Sequence, residues 1–137
     1  MHIDLVCVLG LLLLTAVVQW NLLLDGTLVG LDSATQWYPW YSFLGESLRS
    51  GHIPMWNPHS FAGTPFAADP LSGWTYLPAM VLFTIFPVSA AAKAYLFVHP
   101  LLAGLSMYAL ARTLRVNVVG AVMASIVYEF NGFMYHR

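Results

Sequence analysis

A few polar side chains stand out in an otherwise apolar chain, and they are the ones able to do chemistry. Asp25 and Asp32 bracket a segment that follows a long apolar run. Asp32 sits in Gly30-Leu31-Asp32-Ser33-Ala34-Thr35-Gln36-Trp37-Tyr38-Pro39-Trp40. One reading is structural: Ser33-Ala34-Thr35-Gln36 fits a capping box, with Asp32 beside the positive end of a helix. The other is a carboxylate able to orient an acceptor hydroxyl or take its proton. The stretch His52-Ile53-Pro54-Met55-Trp56-Asn57-Pro58-His59 is stiff, because each residue before a proline avoids the helical region. It serves either as a rigid connector with Trp56 at the membrane surface, or as a site. In the second case Trp56 stacks on a sugar and Asn57 hydrogen-bonds to it. Asp69 precedes Pro70, a common turn opening, and is also a second carboxylate for binding. His99 precedes Pro100 inside an apolar run, where an ionisable group is a functional candidate or is satisfied by neighbouring helices. Glu129 and Asn131 either line a cavity or reach the headgroups by snorkelling.

Several chemistries have no footing in these residues. Cys7 is the only cysteine, so an internal disulfide is excluded. His52 and His59 are too far apart for a tight pair of metal ligands, and a divalent ion has no clear ligand set. A phosphate loop, nucleophile elbow, zinc signature and dinucleotide fingerprint are all absent. The net charge of -1 offers no basic patch for nucleic acid.

The elements that would position these residues follow from hydropathy. Of the 137 residues, 59% are hydrophobic and 8% charged. Ordinary soluble domains are about 25% charged, so the composition is that of an all-α membrane protein with the lipid bilayer as its partner. The run Leu5–Leu24 matches the ~20 residues that cross a bilayer as a helix. A cleaved signal peptide fits poorly, because Met1-His2-Ile3-Asp4 carries no Lys or Arg and the run is too long. Residues 25–93 break up at prolines 39, 54, 58, 65 and 70 and at six glycines between 26 and 73. Their many aromatic side chains predict an ordered loop lying on the membrane rather than a flexible linker. Within it the spacing predicts an amphipathic helix over 39–50, opened by Pro39 and stopped by Gly51. Residues 76–88 are apolar but interrupted by Pro78 and closed by Pro87, which predicts a juxtamembrane or re-entrant segment. Residues 94–112 and 117–135 are long enough to cross. Arg112 and Arg115 lie in the link between them, which the positive-inside rule places in the cytoplasm. The N-terminus is then cytoplasmic and the 25–93 loop external, in a multi-pass protein of the cytoplasmic membrane. Three helices bury little against one another, so residues 1–137 are expected to be a single N-terminal fragment of a larger polytopic domain.

The order of these motifs resembles a known family. An aspartate soon after the first membrane helix is followed by Gln36-Trp37-Tyr38-Pro39-Trp40 and a helix ending Leu48-Arg49-Ser50-Gly51. Then come Ile53-Pro54-Met55-Trp56-Asn57-Pro58, Phe61-Ala62-Gly63-Thr64-Pro65-Phe66 and Tyr76-Leu77-Pro78. His99, Ala103-Gly104-Leu105, Tyr108-Ala109-Leu110-Ala111-Arg112 and Phe130-Asn131-Gly132-Phe133 complete the series. The chain is similar to the N-terminal part of the YfhO-type bacterial membrane proteins of the GT-C glycosyltransferase superfamily. The resemblance implies a GT-C-like module of three transmembrane helices and an external loop with juxtamembrane helices. It implies transfer of a sugar from a polyprenyl-phosphate donor to a cell-envelope acceptor. Asp32 matches the acidic catalytic position, and Gln36, Tyr38, Trp56, Asn57, Asp69 and His99 are the expected substrate-binding residues. Some superfamily members carry a carboxylate pair where Ser33 follows Asp32 here, which leaves metal use open. Arg49, Lys93 and His99 are the cations available to a leaving phosphate. Non-catalytic alternatives stand beside this one: a scaffold, a lipid- or glycan-binding or transport component, or an inactive truncated gene product.

Overall fold

The computed structural model describes residues 2–24 and 33–131, so Asp25 and Asp32 lie outside the described residues. It is mostly helical: α1 (His2–Val18), α2 (Trp20–Leu24), α3 (Tyr38–Arg49), α4 (Leu77–Ile85), α5 (Val88–Thr113) and α6 (Val118–Glu129). Two short strands, β1 (Trp56–Asn57) and β2 (Thr64–Pro65), pair antiparallel with Trp56 opposite Pro65 and Asn57 opposite Thr64. The chain divides into two compact units, one of residues 1–25 and 96–137, the other of residues 26–95.

The first unit is inside out relative to a water-soluble protein. Its core packs Leu11, Tyr108, Ala111 and Ala121 against Cys7, Leu105, Val122 and Ile126. Thr15, Gln19, Ser125 and Glu129 are buried beside them. Leu5, Val6, Leu9, Leu13 and Val17 of α1 and Val119, Met123 and Val127 of α6 face outward. Buried polar groups under an apolar exterior are the informative departure from soluble proteins. α5 has 26 residues, about 39 Å at ~1.5 Å per residue, and is apolar enough to cross a ~30 Å hydrocarbon core. Pro100 lies inside it and removes one backbone donor without ending the helix.

The other two expected crossings are shorter than 5–24 and 117–135. α1 begins at His2 and ends at Val18, and a turn at Gln19 separates it from α2. α6 starts one residue after its cap, Asn117, whose side chain accepts the Gly120 amide at 2.8 Å. It stops at Glu129, where the Asn131 amide donates to the Tyr128 carbonyl at 2.6 Å and replaces the helical partner. Residues 132–135 of the expected third crossing lie outside the described residues. The second expected crossing is longer than 94–112: α5 starts at Val88 because the Pro87 carbonyl already accepts the Ala91 amide at 2.8 Å. Its first turns therefore belong to what the sequence suggested was loop.

The second unit is built on α3 and α4. Proline stands in the first turn of each. The C-terminus of α3 closes as a Schellman motif: Gly51 donates to Leu48 O at 3.0 Å and His52 to Ser47 O at 2.9 Å, with Gly51 at φ 75°. α4 has nine residues, about 13 Å, far short of a crossing. Tyr41, Leu44, Phe66, Ala79, Phe83 and Ala91 form the core. The Tyr41 ring stacks on Phe83 at 4.3 Å and on Trp37 at 5.8 Å. Phe66, from the strand region, meets Trp40 and Phe43 edge-on at 5.9 and 5.2 Å. Aromatic pairs of this kind contribute ~0.5–1.5 kcal/mol each beyond burial. Trp37, Trp40, Tyr41, Phe43 and Phe66 thus make or line a packed core, whereas Trp56 and Phe61, also expected to pack, stay exposed.

Candidate functional site

The approach to α3 is a tight, π-type turn over Ser33–Trp37 that follows directly on Asp32 in sequence. Gln36 lies in this turn and Tyr38 opens α3, both half-buried. Trp37 packs onto Tyr41, so the turn is seated on the aromatic core. Burial pushes the Tyr41 phenol above its ordinary range, reinforced by Tyr95, so it stays neutral at physiological pH.

Two of the expected binding side chains are committed to loop structure. Asn57 is 1% exposed; its carbonyl accepts the His59 amide at 2.9 Å and its amide donates to Ser60 Oγ at 3.2 Å. That is an Asx-type turn before Pro58, a role its position already allowed. Asp69 accepts the Leu71 amide at 2.8 Å while its carbonyl accepts from Ser72 at 3.1 Å, the turn expected of Asp-Pro. Beside it lies a cavity of about 160 Å³ walled by Ala67–Pro70 and Ser72–Thr75, with the Trp74 indole donating to Ala67 O at 3.0 Å. Gln36, Tyr38, Trp56 and Asn57 do not line this cavity. Trp56 is 57% exposed, its ring lying against Gly63, where a Cβ would come within 2.7 Å of it.

The cations are also placed. Arg49 Nη1 donates to the Phe83 and Thr84 carbonyls at 2.9 and 3.3 Å, capping the C-terminal end of α4, where the helix dipole favours positive charge. Lys93 lies inside α5 rather than in a loop. His99, also in α5, is half-buried and belongs to the first unit, whereas the other expected binding residues described belong to the second. Among the described residues, no three His, Cys, Asp or Glu side chains gather to hold a metal ion.

Two clusters in the first unit were not foreseen. Asp4 Oδ1 accepts from Tyr108 Oη and from Arg112 Nε, both at 3.0 Å. Acid at a helix start and base at another's last turn were the available signals, but nothing local pairs α1 with α5. The pair is more than a third exposed, so its contribution is small. Asp4→Asn should therefore lower thermal stability only slightly at neutral pH, and by less in high salt, which screens an exposed pair; a difference that salt does not change would remove the pairing.

The second cluster centres on Glu129, which is 0% exposed. One carboxylate oxygen meets the Thr15 hydroxyl of α1, and a Cβ at Gly104 of α5 would collide with the other. Thr15 Oγ1 also donates to Leu11 O at 2.8 Å. Of the two alternatives for Glu129, lining a cavity or snorkelling to headgroups, the second does not fit, because its side chain turns inward between helices.

The class these features define is a mostly helical protein with, among the described residues, one helix long and apolar enough to cross a membrane. Comparison of the chain with protein-family models, curated proteins and solved structures finds no match.

Proposed function

We propose that the chain is the N-terminal part of a membrane glycosyltransferase of the GT-C type, related to the YfhO-type proteins. In this reading α1, α5 and α6 are membrane helices, and the unit of residues 26–95 stands on the outer face of the cytoplasmic membrane. There it would meet a polyprenyl-phosphate-linked sugar and a cell-envelope acceptor. One observation carries the proposal: the proline- and aromatic-rich segment between apolar helices is a packed unit with its own core, rather than a linker. The inside-out first unit supports membrane placement of the helices around it.

The chemistry assigned to Asp32 is direct displacement. The acceptor hydroxyl oxygen forms a bond to the anomeric carbon as the bond from that carbon to the lipid phosphate breaks. The hydroxyl proton passes to the Asp32 carboxylate. A carboxylate near its free pKa of about 3.9 is a weak base, so positioning the acceptor is its larger contribution. Gln36 and Tyr38, on the turn and helix that follow, and exposed Trp56 are the side chains available to a sugar.

A second reading is favoured by the turn roles of Asn57 and Asp69: a scaffold that binds lipid or glycan without turnover. One variant separates the two. In the complete protein, Asp32→Asn should lower sugar transfer at least ~10²-fold, the low end of acid–base contributions, with membrane insertion unchanged. Transfer at the wild-type rate would remove Asp32 from the reaction and leave the scaffold.

A further inference from the structure

The tip of the β1–β2 hairpin has a conformation that does not suit its residues. The Gly63 amide donates to the Ser60 carbonyl at 2.8 Å, closing a four-residue turn. Its two central residues, Phe61 and Ala62, both have positive φ, 49° and 62°. That is the pattern of a type I′ turn, whose central positions favour Asn-Gly because other side chains crowd the backbone there. Phenylalanine is among the least suited residues for a left-handed position. The side chain held in this way is 92% exposed, so packing within the unit does not recover the cost.

Phe61 has apolar company. Ile53, Met55 and Trp56 on the same segment are all exposed, and no Asp, Glu, Lys or Arg occurs between Ser50 and Ala68. Outward apolar side chains on a strained tip destabilise a domain in water, and strain of this kind is kept where it serves a site. The connectivity indicates the occupant. The unit is entered from the apolar helices α1 and α2, and it leaves through α5, which is long enough to cross a bilayer. In the membrane placement proposed above, on which this inference rests, a bilayer surface is tethered to it by sequence. Tryptophan and its aromatic neighbours favour the headgroup–acyl boundary.

We infer that the segment 53–65, which ends in the β1–β2 hairpin, is a membrane-inserting wedge, with Phe61 at its tip and Ile53, Met55 and Trp56 on one flank, docking the second unit onto a lipid leaflet. The inference is independent of sugar transfer and survives if Asp32 proves inert.

The test uses the full chain with Cys7→Ala, reconstituted in vesicles of phosphatidylethanolamine and phosphatidylglycerol. Phe61→Cys and, separately, Glu46→Cys on the polar side of α3 carry an environment-sensitive fluorophore. Lipids bearing a nitroxide high on the acyl chain should quench the label at 61 at least threefold more than the label at 46, and aqueous iodide should do the reverse. Equal iodide quenching at both sites overturns the wedge. So does a label at 61 shielded from iodide and nitroxide alike, which would place it against protein, such as a second copy. A further variant, Phe61→Asn with Ala62→Gly, supplies the residues the turn prefers. It should melt no lower than wild type, while nitroxide quenching of a label at Met55→Cys falls by at least half. Quenching unchanged at 55 overturns the role of Phe61.

Discussion

Gly45→Ala is expected to unseat α4 from α3 and to destabilise the second unit by about 3 kcal/mol, the upper part of the range for overpacked positions. Gly45 is buried in the middle of α3, and a Cβ built there collides with the carbonyl oxygen of Phe83 and lies 3.1 Å from its carbonyl carbon. The obstacle is backbone, which has no rotamer to change. Relief requires the two helices to separate. Separation loosens the Tyr41–Phe83 stack at 4.3 Å and pulls the Phe83 carbonyl from Arg49, since the same oxygen accepts from Nη1 at 2.9 Å. Removing the cation leaves the last carbonyls of α4 unsatisfied in a partly buried place. The measurement is thermal unfolding in detergent followed by near-ultraviolet circular dichroism, which reads the aromatic core. Gly10→Ala is the matched control, because a Cβ at Gly10 meets nothing within 4 Å and alanine is the better helix former. It should be neutral or stabilising by up to ~1 kcal/mol. If the two substitutions move the transition equally, the close seat of α4 on α3 does not exist.

Neither glycine contact was visible in the sequence, and the reason is general. What could be read locally was read well. Pro39 and Gly51 bracket α3 to within a residue, because a proline in the first turn and a left-handed closing residue act on the backbone around them. Pro78 and Pro87 set the short length of α4 in the same way. The turn at Asp69-Pro70 followed from its dipeptide. Errors arose where composition stood in for hydrogen bonding. The crossing expected over 94–112 was placed by length and apolarity, whereas the helix itself runs from Val88 through Lys93, because a charge does not prevent helix formation. Gln19 and Asn21 were the polar marks in the run Leu5–Leu24, and they coincide with the turn between α1 and α2.

The candidate site divides on the same line. Trp56 is exposed as a stacking residue must be, and Gln36 and Tyr38 lie at the entry to α3. Asn57 was legible as an amide but not as a buried one. Whether its groups face a ligand or the next turn depends on the hairpin register, which places Asn57 inward and Trp56 outward. Phe61 was expected to pack with the other aromatic side chains of the loop, and it is exposed instead. Its left-handed backbone and exposure are properties of the folded turn, and Ser-Phe-Ala-Gly does not announce a turn type that normally asks for Asn-Gly. Contacts between residues far apart in the chain were the least accessible of all. Thr15 and Glu129 are 114 positions apart, and helical periodicity carries no information about which faces meet.

That node sets the second large effect, and a double-mutant cycle tests it. Gly104→Ala alone should destabilise the first unit by ~1–3 kcal/mol. The new methyl group would press into the Glu129 carboxylate, and the Glu129 Cβ, 3.1 Å away, leaves little room to yield. The Glu129 side chain is buried, and one oxygen is held by Thr15, so it cannot swing out to relieve the contact. Close approach through glycine is a familiar means of joining apolar helices, where the absence of a side chain lets a neighbour reach the backbone. Here the neighbour is a carboxylate rather than another helix backbone. Glu129→Ala alone removes the Thr15 partner and opens a cavity, and should also destabilise, by a similar amount. The double variant puts the Gly104→Ala methyl group into the space the Glu129 side chain leaves. Its destabilisation should therefore fall short of the sum of the singles by 0.5 kcal/mol or more, the threshold for residues in contact. Thermal unfolding of all four proteins, followed by far-ultraviolet circular dichroism in one detergent, supplies the cycle. Additivity within ~0.3 kcal/mol would mean that Gly104 and Glu129 do not touch, and the packing of α5 against α6 would need another explanation.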